Sequence, residues 1–352
     1  MSVDAGFWRN KRVLLTGHTG FKGAWLALWL VRLGARVTGI ALAPAARPAL
    51  HDELHIGNEL ISHLCDIRDA VSFAEIVQAA RPEIVLHLAA QPLVRAGYRQ
   101  PVETFSTNVM GTVHLLEALR GLNCVRATVM ITTDKVYRNQ EWHYPYRERD
   151  ALGGHDPYSA SKAACELAIA CYRDAFLSGQ NVAVASARAG NVIGGGDWSD
   201  DRLIPDAVRA WQAGHILEVR RPDAVRPWQH VLEPLAGYMR LAQVLWETPQ
   251  LAGPYNFGPD AAGSVPVRTV IDLARTAYGQ GQVSYGTKDS GPHEAGLLCL
   301  DTSQTRAMLG IHPKWPLAEA IRRTMDWYRN FDQGADARAL CEADIAAYEA
   351  AT

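Results

Sequence analysis

Tyr158 and Lys162 stand four positions apart in Tyr158-Ser159-Ala160-Ser161-Lys162, a spacing with chemical use. On a helix it turns the phenol and the ammonium to one face. A neighbouring cation favours phenolate and draws its pKa from about 10 toward neutrality. Such a phenolate takes a proton from a hydroxyl while hydride leaves the same carbon. Tyr-x-x-x-Lys by itself also describes an incidental surface pair. Here it follows an apolar run ending in Thr132-Thr133, and it shares the chain with a second motif, Gly17-His18-Thr19-Gly20-Phe21-Lys22-Gly23. Three glycines at intervals of three separate the runs Val13–Thr16 and Ala24–Leu30. At a strand–turn–helix junction they let backbone N–H groups and a helix N-terminus approach a pyrophosphate. The spacing is Gly-x-x-Gly-x-x-Gly, not the commoner Gly-x-Gly-x-x-Gly. His18 and Lys22 add basic groups to this turn. Lys22 is expected to contact a phosphate or the catalytic edge of the site; the alternative is decoration of a loop surface.

These motifs need a scaffold, and the hydrophobic pattern supplies one. Short apolar or β-rich runs at Val13–Thr16, Ala35–Ile40, Leu60–Leu64, Ile84–Ala90, Ala127–Thr133 and Val182–Ala187 alternate with helical patterns at Ala24–Leu30, Val71–Ala80, Thr107–Leu122 and Tyr158–Phe176. This predicts an α/β fold with a Rossmann-type, doubly wound parallel sheet. Ligands on such sheets bind beyond the carboxyl ends of the strands, where the motifs fall. Residues 1–189 form the expected dinucleotide-binding domain. From Gly190 the texture changes to Gly194-Gly195-Gly196-Asp197-Trp198, with shorter helices at Leu203–Gly214, Pro266–Tyr278 and Pro316–Phe331, as for a smaller substrate lobe over 190–335. The lobes are expected to interleave, because Leu232–Trp246 and Tyr255–Gly258 read as a helix and strand returning to the first domain, about 230–258. The alanine-rich stretch 336–352 reads as a loosely docked C-terminal tail.

Composition narrows the function. The chain has 352 residues, 48% hydrophobic and 20% charged, with a formal charge of -2. No overall field draws it to nucleic acid or anionic lipid. No apolar run reaches the ~18 residues of a membrane span, and the first residues do not form a secretory signal. A cytoplasmic location is expected. The six cysteines form no C-x-x-C pair and read as reduced, mostly buried thiols. His51 and His55 resemble a helical metal pair but lack a third ligand nearby, so a solvated surface is expected and no metal.

The strings Gly17-x-x-Gly20-Phe21-x-Gly23, Leu88-Ala89-Ala90, Asn108-x-x-Gly111-Thr112 and Tyr158-x-x-x-Lys162 resemble the extended short-chain dehydrogenase/reductase family over roughly residues 10–330. Thr133-Asp134-Lys135-Val136-Tyr137, Tyr146-Arg147-Glu148, Leu152-Gly153-Gly154 and Arg188-Ala189-Gly190-Asn191 through Trp198 narrow the resemblance to the branch of 4,6-dehydratases acting on CDP-glucose. The resemblance implies an NAD cofactor held by residues 17–23, Asp66, Ile67, Leu88, Ala89, Ala90, Asn108, Tyr158 and Lys162, with Asp66 and Ile67 at the adenine. It implies a nucleotide sugar, CDP-glucose, held by Arg226 at the diphosphate and by Arg188, Asn191, Asp197, Trp198 and Arg202. Tyr158 would deprotonate the 4-hydroxyl as hydride leaves C4, with Thr133 bonded to the same oxygen. Asp134 would be the acid for the departing 6-hydroxyl, provided its pKa is raised. A homodimer through the helices Thr107–Leu122 and Tyr158–Phe176 is also implied, and a tetramer remains open.

Two positions depart from the family pattern. Related dehydratases carry glutamate where this chain has Lys135. Lys135 is expected to be the base at C5, and the alternative is that it orients Asp134 or a water. After Ile40 the chain has no carboxylate for a ribose 2′-hydroxyl, and Arg47 would suit the 2′-phosphate of NADP. NAD is chosen because the reaction starts from the oxidised cofactor. The rival functions are a nucleotide-sugar 4-epimerase and a non-catalytic dinucleotide-sensing protein.

Overall fold

The computed structural model describes residues 3–44, 47–260, 263–286 and 296–351. Its centre is a seven-stranded sheet. In chain order the strands are β1 (Arg12–Thr16), β2 (Arg36–Ala41), β3 (Ile61–Leu64), β4 (Ile84–His87), β5 (Ala127–Ile131) and β6 (Ala183–Ala189), then β7 (Asn191–Ile193), β8 (Ile216–Val219), β9 (Val225–His230) and β10 (Pro254–Phe257), then β11 (Ser264–Pro266) and β12 (Gln282–Tyr285). The main sheet runs β10-β6-β5-β4-β1-β2-β3, and every pairing is parallel. The order reverses between β1 and β4, the crevice where such sheets bind ligands.

Burial explains the apolar runs. Every residue of β4, β5 and β6 is buried, as both sheet faces are covered by helices. On one face the helix Phe21–Arg32 buries Trp25 and Trp29, and the returning helix Leu232–Glu247 lies over β5 and β6. On the other, the helices Ala70–Ala80, Gly111–Leu119 and Pro157–Tyr172 close a second core around Phe73, Leu115 and Ile169. β3 is the edge strand and leaves Ile61 and Leu64 exposed.

Two helices break where continuous helices are expected. Thr107–Leu122 begins instead as a π-turn, Ser106–Met110, and becomes α-helical only at Gly111–Leu119. Tyr158–Phe176 is α-helical over Pro157–Tyr172 and ends in a second π-turn, Arg173–Leu177. The first bulge turns Asn108 inward, and π-bulges recur at functional sites.

The smaller lobe has sheet structure that its texture did not reveal: β11-β9-β7 form one sheet, and β12 pairs with β8 in parallel. The glycine run before Asp197 serves packing, since a Cβ on Gly195 would lie 2.0 Å from the Trp327 ring. The C-terminal stretch is not loosely docked. Its helix, Ala337–Ala350, buries Cys341, Ile345 and Tyr348; Tyr348 donates to Glu233 over 2.7 Å, Trp29 Nε1 donates to Glu349 over 2.7 Å, and Arg338 pairs with Glu59. All six cysteines are free, but only Cys165 and Cys341 are buried and Cys171 is exposed, so they are not mostly buried. His55 is exposed as expected, whereas His51 is half-buried and sets its ring edge-on to His18, with centroids 5.1 Å apart.

Candidate active site

The glycine turn, the strand ends and the smaller lobe line one cleft of about 1550 Å³. At its floor Gly17 has φ +77, a left-handed conformation that favours glycine, and a Cβ there would lie 2.8 Å from the Ala89 backbone nitrogen. Gly23 packs so closely on Gly17 that a Cβ would fall 2.0 Å from its carbonyl oxygen. Gly20 caps the helix Phe21–Arg32 without a side-chain hydrogen bond, so the first-turn N–H groups remain available to a ligand. This cradle, walled by Leu88, Ala89 and Ala90, fits the pyrophosphate of a dinucleotide.

His18 is not a basic group of this turn. Its side chain is fully buried beneath β2 and β3, with Nε2 2.8 Å from Ser62 Oγ, and a Cβ on Gly39 would strike its ring. Burial, with His51 beside it, lowers its pKa to about 4, so it is neutral. Lys22 differs. It faces the cleft, its ammonium 5.8 Å from the Tyr238 ring centroid, and its charge is felt by Arg202, Asp134, Lys162 and Lys135. That is the part of the cleft lined by Lys135, Tyr158 and Lys162. Burial, with Arg202 next, lowers its pKa to about 7.

At the ribose end Thr19 donates its hydroxyl to the Leu42 carbonyl over 2.8 Å. Arg47 lies on the cleft rim, 82% exposed, 3.6 Å from Asp52; Ala45 and Ala46 lie outside the described residues. Asp66 lines the cleft, yet its carboxylate accepts from Arg68 Nη2 over 2.6 Å and from the Arg68 backbone over 2.9 Å. The Arg68 contacts hold its pKa down. Ile67 lines the cleft beside it. Asn108 does not reach the cleft: its side chain exchanges hydrogen bonds with the Gln91 backbone at 2.8 and 3.1 Å and donates to Ser161 over 2.9 Å. It positions the β4 loop rather than touching a cofactor.

The chemistry gathers at the end of β5. Thr133 caps a short 3₁₀ turn, Asp134–Val136, and donates to Asp134 Oδ1 over 3.0 Å. Asp134 has no exposed surface. Its Oδ2 lies 3.1 Å from where a Gly190 Cβ would stand, and it is the only buried carboxylate oxygen among the described residues without a hydrogen-bond partner. The carboxyl therefore lies under the cleft wall rather than on it. Lys135 lines the cleft, with Nζ 3.5 Å from Asp134 Oδ1.

Tyr158 and Lys162 both face this turn from the helix Pro157–Tyr172, and both line the cleft. The ammonium is hydrogen-bonded to the sheet and not to the phenol. Lys162 donates to the Ile131 carbonyl over 3.1 Å, and burial lowers its own pKa. Burial pushes the Tyr158 phenol up to about 12, opposed by a hydrogen bond with Thr133 and the charge of Arg202, and reinforced by Asp134.

The expected sugar-nucleotide wall divides. Asn191, Asp197, Trp198, Arg202 and Arg226 line the cleft. Asp197 accepts from Ser199 N over 3.1 Å and lies 3.3 Å from Arg202 Nη1, so it braces Arg202. Arg188 is buried in β6, donating to Glu166 over 2.8 Å, Tyr137 over 2.9 Å and the Glu148 carbonyl over 3.0 Å. It belongs to an internal ion pair and not to the substrate wall. Arg209, Arg220 and Arg221 also line the cleft and were missed by sequence reasoning. The basic cluster Arg220-Arg221 just before Arg226 was the available signal.

This arrangement has clear relatives. The family model described as GDP-mannose 4,6 dehydratase matches residues 14–324. A CDP-glucose 4,6-dehydratase of Salmonella typhimurium is 44% identical, covering 99% of each chain. A dTDP-glucose 4,6-dehydratase of Xanthomonas campestris is 26% identical over 90% of this chain and 92% of its own. Among solved structures, a UDP-glucose 4-epimerase of Stenotrophomonas maltophila with bound NAD superposes with a TM-score of 0.79 at 23% identity, covering 93% of this chain and 100% of its own. With the glycine cradle, the Thr-Asp-Lys turn and the Tyr158–Lys162 helix on one cleft, and a family match spanning that cleft, the chain belongs to the GDP-mannose 4,6 dehydratase family.

Proposed function

We propose that the chain is an NAD-dependent CDP-glucose 4,6-dehydratase, yielding CDP-4-keto-6-deoxyglucose and water. The supporting observation is the placement of Thr133, Lys135, Tyr158 and Lys162 on one cleft that also contains the dinucleotide cradle, in a chain 44% identical to a CDP-glucose 4,6-dehydratase. The glycine cradle and Lys162 would hold NAD, which would supply a hydride acceptor for C4 and a hydride donor for C6. Tyr158 takes the proton of the 4-hydroxyl, with Thr133 bonded to the same oxygen, and Lys162 holds the nicotinamide ribose. The resulting 4-ketone acidifies C5–H. Lys135 removes that proton, and Asp134, whose carboxyl lies under the cleft wall in the unliganded chain, must reach the cleft to protonate the oxygen leaving C6 as water. Protonation at C5 and hydride return to C6 complete the balance, with no net oxidation. The 3.5 Å contact with Asp134 equally serves the alternative role of Lys135, in which it only orients that carboxyl. Arg202 and Arg226 hold the substrate, and Arg226 suits a diphosphate by its bidentate geometry.

We also assign a homodimer. Val102, Phe105, Met110, Leu167 and Phe176 are exposed apolar side chains carried by neighbouring helical segments around Pro157–Tyr172, a concentration typical of a covered face. Six free cysteines suit a reducing cytoplasm.

Incubation with CDP-, GDP-, UDP- and dTDP-glucose tests the function. Loss of water from CDP-glucose without NADH accumulation is expected. A C4 epimer would make it an epimerase, and no turnover with any of the four would leave a sensing protein.

A further inference from the structure

A chain of buried hydrogen bonds joins the cofactor cradle to the helix that carries Tyr158 and Lys162. It begins at Thr16, the residue before Gly17, whose hydroxyl oxygen accepts from the Ala89 backbone nitrogen over 3.1 Å and shares the Leu88 N–H, also at 3.1 Å, with the Thr16 carbonyl. With N–H donors facing the oxygen, the acceptor within reach of the hydroxyl proton is His87 Nδ1, 2.7 Å away. The other ring nitrogen, Nε2, lies 3.4 Å from Thr112 Oγ1, which donates onward to Cys165 Sγ over 3.7 Å. Cys165 lies on the catalytic helix and donates to the Asn108 carbonyl over 3.1 Å. Asn108 in turn donates to Ser161, which donates to the Tyr158 carbonyl over 2.8 Å. Each of these side chains is buried, from Thr16 at 0% to His87 and Thr112 at 3% exposure.

Donor counting leaves one arrangement. An imidazolium at position 87 would present a proton to Thr16 Oγ1 and take away the acceptor of the Thr16 hydroxyl proton. A neutral ring protonated at Nδ1 would fail in the same way. Only the neutral Nε2–H form satisfies both neighbours, because its proton bonds Thr112 while the Thr112 hydroxyl proton turns to Cys165. Burial, with the Lys162 charge nearby, lowers the ring's pKa to about 3, in agreement.

We infer that His87, locked as the neutral Nε2–H tautomer, is a positioning residue that sets the backbone of Leu88 and Ala89, one wall of the dinucleotide cradle, relative to the helix bearing Tyr158 and Lys162. It touches neither cofactor nor substrate. It acts through Thr16 on the cradle, where Ala89 already abuts Gly17, and through Thr112 and Cys165 on the helix. In cofactor terms the inference rests on the proposed dinucleotide site, but the tautomer does not depend on that reading.

Nitrogen-15 NMR of the intact, histidine-labelled protein tests the tautomer directly, with the His87 signal identified by its loss in His87→Asn. A neutral ring protonated at Nε2 and unchanged from pH 5 to 9 is expected; titration in that range, or a proton on Nδ1, overturns the inference. His87→Phe keeps the ring volume and removes both bonds, and it is expected to weaken NAD⁺ binding about tenfold, with little change in the KM for CDP-glucose. His87→Asn, whose amide oxygen can again accept from Thr16, is expected to recover most of that loss. Unaltered NAD⁺ affinity in His87→Phe, or no recovery in His87→Asn, overturns it. A wild-type protein with no NAD⁺ affinity would sink the proposed cofactor instead and leave the tautomer result standing. If His87→Phe does not fold, the wild-type spectrum decides.

Discussion

The Lys162 ammonium donates to the carbonyl of Ile131, the last residue of β5, over 3.1 Å. The cation that spacing assigns to Tyr158 is thus anchored to the sheet, and burial carries the phenol up to about 12. In the proposed reaction the oxidised nicotinamide would add a second cation to Arg202 beside the phenol. With saturating NAD⁺, kcat/KM is expected to reach a plateau above about pH 8. A tenfold rise per pH unit continuing through pH 10 would mean that burial still governs the phenol. Tyr158→Phe should lower kcat by about 10²–10⁴ while the protein remains folded.

Arg188 and Glu166 form an ion pair with both side chains 4% exposed, and Ser186 and Thr132 share the Glu166 carboxylate. Removing one partner leaves the other charge buried and alone, which costs about 3–5 kcal/mol. Arg188→Met is expected to lose about that much stability in urea denaturation, while the folded fraction keeps the wild-type KM. Arg226→Ala should do the reverse, raising the KM for the nucleotide sugar about tenfold or more with little change in the urea midpoint. A raised KM in Arg188→Met would return that arginine to the substrate wall.

These two arginines show where the sequence was legible. Mostly apolar runs marked β1, β4, β5 and β6 because burial on both faces admits few polar residues, and the exceptions in β6, Ser186 and Arg188, are paired with Glu166. The glycine turn and Tyr158–Lys162 could be read because their spacing is itself the geometry. Arg188 and Arg226 look alike in one dimension, since an arginine's role depends on whether a carboxylate waits across the core, and Glu166 lies on another element. His18 was misread for the same reason: its environment is Ser62 and His51, distant in sequence. The docking of the C-terminal helix was hidden because its buried residues face Trp29, Glu233 and Trp315, far away in the chain. Alanine-rich composition reports none of those contacts.

Lys135 bears the most specific mechanistic prediction. Its Nζ, at the cleft and 3.5 Å from Asp134 Oδ1, is poised either to take the C5 proton or to hold the acid in place. Lys135→Met separates the two roles. If Lys135 is the base, the variant should still transfer hydride from C4 but stall before the C5 proton exchanges with deuterated solvent, so bound NADH accumulates. Exchange at the wild-type rate, with slowed loss of water alone, would assign Lys135 to orienting Asp134.

Lys22 makes a prediction about stability. Its pKa falls from an ordinary 10.5 to about 7, with burial first among the causes and Arg202 second, so folding disfavours its charged form. Below about pH 7 the amine is protonated in both folded and unfolded chains, and the folded state bears the whole cost of that charge. Between about 7 and 10.5 the folded amine is neutral while the unfolded one still binds its proton, so the cost fades as pH rises. Lys22→Met, which keeps the chain length and removes the charge, should therefore raise Tm relative to wild type at pH 6.5, and the gain should shrink toward zero by pH 10. The same variant should lose turnover if the amine serves the catalytic edge beside Asp134. A Tm difference independent of pH would place the amine in solvent, and unchanged turnover would reduce Lys22 to a structural member of the turn.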